Sequence, residues 1–251
     1  MYFSAQEIQR FKEDGFVVVR GMYDAHEMEL IARWVDELAA RPPERGKQMA
    51  YFEDSLKRPG ERILSRIEKF ADVHDGFAAL VRAPKMAGRV TELLGEPAVL
   101  FKEKINFKLP GGGGFAPHQD IQPGWDEYAP YFISVLVTVD RSTVQNGCLE
   151  LASGHHTRGL IGQKWKPLET KELEGIRFDH YPMEPGDVAF FDCFVPHQSQ
   201  PNLTDRQRRN LYLTYNRRSD GEFREKYFAD KRRSFPPDAE REPGKVYTFR
   251  V

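Results

Sequence analysis

Ala98-Val99-Leu100-Phe101-Lys102-Glu103-Lys104-Ile105-Asn106-Phe107-Lys108 marks a change of texture in this 251-residue chain. The run is long, apolar and aromatic enough to be a strand. Further strand-like runs follow at 131–139, 148–151, 187–192 and 209–216, separated by Gly, Pro and Asn clusters. Upstream the pattern is helical. Ser4 with Glu7 makes a capping box for a helix over 4–13 that stops near Gly15, and Phe16-Val17-Val18-Val19 reads as a strand closed by Gly21. Asp24 with Glu27 repeats the cap, and Met28, Ile31, Trp34, Val35 and Leu38 recur at helical spacing until Pro42-Pro43. A second helical region covers 76–94, while 42–62, rich in Pro, Gly and charge, reads as a mobile or substrate-covering loop. Helices first and short strands later predict an α+β protein, with helices packed on one face of an antiparallel sandwich and a single domain over 1–251.

The charge balance excludes some functions. The 37 basic residues nearly cancel the 38 acidic ones, so no global field draws the protein to nucleic acid or to an anionic membrane. No window approaches the roughly 20 apolar residues of a membrane span, and Ser4-Ala5-Gln6-Glu7 is unlike a leader; a cytoplasmic protein with a small-molecule partner is expected. Oligomeric state is not legible. Cys148 and Cys193 sit in apolar contexts without metal-type spacing and read as buried free thiols.

Chemistry concentrates after the glycine run 111–114, in Pro117-His118-Gln119-Asp120. On a strand, residues i and i+2 face the same side, so His118 and Asp120 can offer an imidazole and a carboxylate to one metal ion, with His197 completing the set. Two histidines and one carboxylate leave coordination positions open, the arrangement suited to a non-haem iron(II) oxygenase. Alone, His-x-Asp is weak evidence. A second condition comes from the alternating run Arg208-Arg209-Asn210-Leu211-Tyr212-Leu213-Thr214-Tyr215, because a dicarboxylate co-substrate needs a cation at its far end. Parity puts Arg208 with Asn210, Tyr212 and Thr214 on a polar face, and Arg209 with Leu211 and Leu213 on an apolar one. Arg208 is therefore the candidate.

Together, His118-x-Asp120, the block Asn146-Gly147-Cys148-Leu149-Glu150-Leu151 with Gly154-His155-His156, Glu184-Pro185-Gly186-Asp187 and His197 followed by Arg208 resemble the phytanoyl-CoA dioxygenase family, which includes ectoine hydroxylase. The likeness runs from the helix before Asp14-Gly15-Phe16 to about Asn216. It implies a double-stranded β-helix, or jelly roll, with iron(II), 2-oxoglutarate and dioxygen as cofactor and co-substrates. It also implies Asn106 and Ser199 as 2-oxoglutarate contacts, with Gln119 and Ser134 as further candidates, and hydroxylation of an unactivated C–H bond. Asp120 speaks against a halogenase, which would carry a small residue there.

Lys102, Lys104 and Lys108 alternate on the side that carries Asn106, so a basic pocket for an anionic substrate competes with a solvated edge. Trp125 sits either against the substrate or in the core. Lys102, Lys104, Trp125 and Asn210 are the candidate substrate residues. The strand 101–108 is closest in character to bacterial members of the family that hydroxylate 2-aminoethylphosphonate, while natural-product and acyl substrates compete. A cupin-type metal isomerase or hydrolase would use the same three ligands without needing Arg208; a silent binding protein would be expected to have lost a ligand. His155 and His156 read as loop residues, the latter structural. His26, His74 and His180 read as solvated or satisfied, and Arg217-Arg218 with Lys231-Arg232-Arg233 as solvated surface.

Overall fold

The computed structural model describes residues 1–247. Helix α1 (Ala5–Asp14) begins at the expected box, in which Ser4 Oγ accepts from Glu7 N at 3.2 Å and Glu7 Oε2 accepts from Ser4 N at 2.7 Å, and it ends at Gly15, whose φ of 85° suits glycine. Strand β1 (Phe16–Val19) and helix α2 (Ala25–Ala40, capped by Asp24) follow as expected.

The stretch 42–62 departs from expectation. Met49–Asp54 is strand β2, paired antiparallel with β3 (Arg62–Glu68). The flanking Pro, Gly and charge masked a six-residue run whose Met49, Ala50 and Tyr51 are buried. The helical region 76–94 is divided: α3 (Asp75–Arg82) gives way to a π turn from Pro84 to Gly88, and α4 (Arg89–Leu94) completes it. Pro84 lacks the N–H that a continuous helix needs there.

From residue 98 the strands wind as a jelly roll: β4 (Ala98–Lys108), β5 (Phe115–His118), β6 (Ile133–Thr138), β7 (Leu149–Leu151), β8 (Asp179–Tyr181), β9 (Val188–Asp192), β10 (His197–Ser199) and β11 (Arg208–Arg217). A final helix, α5, spans Arg224–Ser234. The larger sheet has the order β1-β9-β6-β11-β4-β3-β2 and the smaller one β5-β10-β7-β8, with every pair antiparallel. No helix among the described residues is long and apolar enough to cross a membrane.

Period-two alternation divides the larger sheet into two faces with different tasks. Ile105, Phe107, Val135, Phe190, Leu211 and Leu213 point outward and pack under Ile31, Val35, Leu38, Phe77 and Val90 of the helices. Each fully buried aromatic or aliphatic side chain here contributes about 1.5–3 kcal/mol. The opposite face looks toward the smaller sheet. At one end it is apolar, where Phe16, Leu136 and Phe191 meet Leu149, Leu151 and Val195. At the other it carries polar and charged side chains, and there the two sheets enclose the chemistry.

Candidate metal centre

His118 and His197 stand directly opposite each other in the register of β5 and β10, with ring centroids 4.2 Å apart. Asp120 lies just past the end of β5, and His197 Nε2 is 3.8 Å from Asp120 Oδ1. One ligand atom from each of the three lies within 4.8 Å of the others. Both rings are set for ligation through Nε2, because Nδ1–H of His118 donates to Ala116 O at 2.7 Å and that of His197 to Val195 O at 3.0 Å. Ser134 Oγ donates to Asp120 Oδ2 at 2.5 Å, which leaves Oδ1 turned toward the histidines. Burial pushes both imidazoles below their ordinary pKa, and the neighbouring ring pushes His118 further, so they are held neutral. Burial alone would raise the Asp120 carboxyl, but its surroundings, which include the Lys104 ammonium and the Ser134 hydroxyl, outweigh it and lower its pKa. Two neutral imidazoles and a carboxylate converging on one point fit iron(II), with open positions left over.

The inner face of the larger sheet continues from there in register rows. Lys102 aligns with Thr214 and Ser134, Lys104 with Tyr212 and Leu136, Asn106 with Asn210 and Thr138, and Lys108 with Arg208. Lys108 is 3% exposed and Arg208 1%, yet neither forms a salt bridge among the described residues. Lys108 Nζ donates to Ser199 Oγ at 2.8 Å and Gln200 O at 2.5 Å, and Arg208 Nη2 to Gly147 O at 2.9 Å, while Arg208 Nε has no hydrogen-bond partner. Gly147 has a φ of 75°, and a Cβ there would lie 2.0 Å from Gln200 O, so the turn that brings this carbonyl to the arginine requires glycine. Burial, then Arg208, push Lys108 down to about 6. Two buried cations without an acid are costly unless an anion joins them, and a carboxylate fits that demand.

A second pair of cations, the buried Lys102 and the half-buried Lys104, lies nearer the metal ligands. Lys102 Nζ sits over the rings of Trp125 at 4.6 Å and Tyr227 at 5.2 Å; Lys104 Nζ sits over Tyr212 at 4.9 Å. Neither ammonium makes a hydrogen bond or ion pair within the described chain. Burial lowers both, and with the charge of Lys102 beside it Lys104 falls to about 7.

Several expected site residues are placed elsewhere. Gln119 points away from its neighbours His118 and Asp120: its amide donates to Gly159 O and Phe194 O and accepts from Ile161 N, so it braces loops and has nothing left for a co-substrate. Asn210, with its amide turned to satisfy both ends, accepts from Arg208 Nη1 and donates to Arg209 O, each at 2.7 Å, and so steadies the arginine instead of meeting a substrate. Ser134 holds the metal carboxylate. Trp125, 2% exposed, belongs to an aromatic cluster and also backs Lys102. Arg209, on the other face, bonds Asp140 at 2.7 and 2.9 Å and also pairs with Asp36.

One ion pair at the site was missed in the sequence. Lys231, read as solvated surface, is partly buried against Glu68, with Nζ 2.7 Å from both carboxylate oxygens. No local pattern signals this, since the partner lies 163 residues away. Of the other histidines, His74 caps α3 by accepting from Phe77 N, and His156 packs against Gly15.

Residues 11–210 match the family model described as phytanoyl-CoA dioxygenase. The chain is similar to a 2-aminoethylphosphonate dioxygenase of the uncultured bacterium HF130_AEPn_1, with 43% identity over 250 residues covering 98% of this chain and 94% of the relative. It is also similar to a methylphosphonate hydroxylase of Gimesia maris, with 38% identity over 91% of this chain and 86% of the other. Among solved structures, EctD from S. alaskensis with 2-oxoglutarate and 5-hydroxyectoine superposes with a TM-score of 0.73 at 24% identity, covering 87% of this chain and 78% of that one. The epimerase SnoN, in complex with Fe3+, alpha ketoglutarate and nogalamycin RO, gives 0.72 at 21% identity over 98% and 96%. At these identities the superpositions speak for the jelly-roll fold.

Proposed function

Because the chain belongs to the phytanoyl-CoA dioxygenase family and is an iron(II)- and 2-oxoglutarate-dependent dioxygenase, we propose that it hydroxylates a carbon of a small anionic or zwitterionic metabolite, with 2-aminoethylphosphonate as the foremost candidate. One observation carries this reading. The inner face of β4 and β11 bears two separate pairs of cations without a salt-bridge partner among the described residues, the buried Lys108 and Arg208 and the buried Lys102 with the half-buried Lys104, and each calls for an anion.

In this reading His118, Asp120 and His197 hold the metal. Arg208 grips the far carboxylate of 2-oxoglutarate, with Lys108, Ser199 and Asn106 beside it. Lys102 and Lys104 bind the anionic group of the substrate and set its carbon near the metal, and the Trp125 ring fixes the Lys102 ammonium from behind. Bound at the triad, iron(II) with 2-oxoglutarate and dioxygen supplies the oxidant for a C–H bond and releases succinate and carbon dioxide. The chain's own part is to hold both anions in register and keep water out. Relatives named for 2-aminoethylphosphonate and methylphosphonate support a phosphonate as the anion. A metal isomerase that ignores 2-oxoglutarate would leave Lys108 and Arg208 without use. The free thiols Cys148 and Cys193, both buried, support placing the reaction in the reducing cytoplasm.

The test is succinate formation by purified protein given iron(II), ascorbate and 2-oxoglutarate, with 2-aminoethylphosphonate, methylphosphonate or ectoine. Stimulation by the aminophosphonate that disappears in His118→Ala is the expected outcome. Stimulation by ectoine alone would overturn the phosphonate assignment, and failure to bind 2-oxoglutarate would overturn the whole reading.

A further inference from the structure

We propose that Lys231, carried in by α5, is a positioning residue for the substrate: by occupying Glu68 it keeps the Lys102 and Lys104 ammonium groups available to the substrate's anion. The inference deepens the anionic-substrate reading and rests on it.

Glu68 is fully buried and is the one acid on the inner face of β3, β4, β6 and β11 among the described residues. It stands beside Lys104 in the register of β3 and β4. Lys231 Nζ meets both of its oxygens at 2.7 Å, and Arg66 Nε lies 2.8 Å from Oε1. Burial alone would raise the Glu68 carboxyl, but Lys231 and Arg66, with Lys102 behind them, outweigh it and lower its pKa. The same helix supplies Tyr227, whose ring lies under the Lys102 ammonium. The match to the family model ends at residue 210, before α5 begins at Arg224. The helix therefore lies beyond the matched segment and reaches the substrate end of the cavity.

The arithmetic of charge explains why the helix matters. With Lys231 present, Glu68 is satisfied twice over. Without it, a buried carboxylate keeps only Arg66, and the nearest uncommitted cations are Lys104 and Lys102. Glu68 then pairs with them and competes with the substrate from within the protein. Lys231 thus acts on affinity through Glu68 without touching the substrate.

The measurement is calorimetric titration of the iron- and 2-oxoglutarate-loaded protein with 2-aminoethylphosphonate under anaerobic conditions. Lys231→Met is expected to weaken binding tenfold or more while leaving the Kd for 2-oxoglutarate unchanged. Adding Glu68→Gln to that variant should restore affinity to within about threefold of wild type. Glu68→Gln alone, informative even if Lys231→Met does not fold, should bind the substrate at least as tightly as wild type. Unchanged affinity in Lys231→Met, a double variant as weak as the single one, or weaker binding in Glu68→Gln would each overturn the proposal. A wild-type protein that does not bind the aminophosphonate would instead overturn the substrate assignment and this inference with it.

Discussion

Replacing Arg208 with methionine separates binding from folding, because the arginine is a buried cation in want of an anion. Its side chain is 1% exposed, forms no salt bridge among the described residues and has an Nε without a partner. Hydrogen bonds to charged groups contribute about 1.5–3 kcal/mol each, so losing the grip on one carboxylate costs about 3 kcal/mol, roughly a hundredfold in Kd for 2-oxoglutarate. The fold should respond in the opposite sense. Methionine has a similar reach and no charge to desolvate, so Arg208→Met is expected to be at least as stable as wild type when no co-substrate is present. For wild type, 2-oxoglutarate at a hundredfold excess over Kd adds about 2.7 kcal/mol, which for a chain of this size raises Tm by roughly 5–10 °C. The variant should show no such rise at that concentration. Thermal melts of metal-loaded anaerobic protein, together with calorimetry, read both quantities. A variant that binds 2-oxoglutarate within about threefold of wild type would refute the assignment, and a large loss of stability without ligand would show that the guanidinium is a structural group.

Other expectations concern separate parts of the molecule. Lys102→Met should raise the KM for the aminophosphonate by at least tenfold and leave that for 2-oxoglutarate unchanged; steady-state kinetics with each substrate varied in turn checks the split, and equal effects on both would refute it. Ser134→Ala frees Asp120 Oδ2, so iron affinity should fall about 10–100-fold, read by metal titration against a competing chelator. Asp187 accepts from Arg20 Nη1 at 2.7 Å, Gly21 N at 2.8 Å and Glu184 N at 2.9 Å, and these bonds outweigh burial and lower its pKa below 3.8. Its contribution to stability is therefore complete above that value and is lost as pH falls through the lowered one. In Asp187→Asn, urea unfolding between pH 5 and pH 2 should show a shallower loss of stability than wild type, and parallel curves would contradict the argument.

What could be read from the sequence was whatever a short run of residues determines by itself. The capping boxes at Ser4 and Asp24 and the apolar run from Ala98 carry their own signals, and alternation alone places Arg208 inside and Arg209, with its Asp140 and Asp36 partners, outside. The three-residue strands Asp179–Tyr181 and His197–Ser199 have no such autonomy; they are strands because β7 and β5 lie beside them. Met49–Asp54 was hidden by its polar surroundings. At the site, the spacing of His118 and Asp120 brought the right pair together, whereas the same spacing put Gln119 on the far side, among backbone groups that no sequence pattern announces. Lys231 was illegible for the most general reason: a buried charge is recognised by its partner, and the partner is distant in the chain.

That distance has a consequence for how the protein is made. Glu68 and Lys231 are separated by 163 residues. At about 5–20 residues per second a ribosome needs roughly 10–30 s to progress from one to the other. During that interval the nascent chain holds an acid whose counter-ion does not yet exist, beside lysines that are synthesised well before it. On the proposed role of Lys231, an unfinished chain carries its own inhibitor, and the pocket opens to anions only once α5 has been translated and docks.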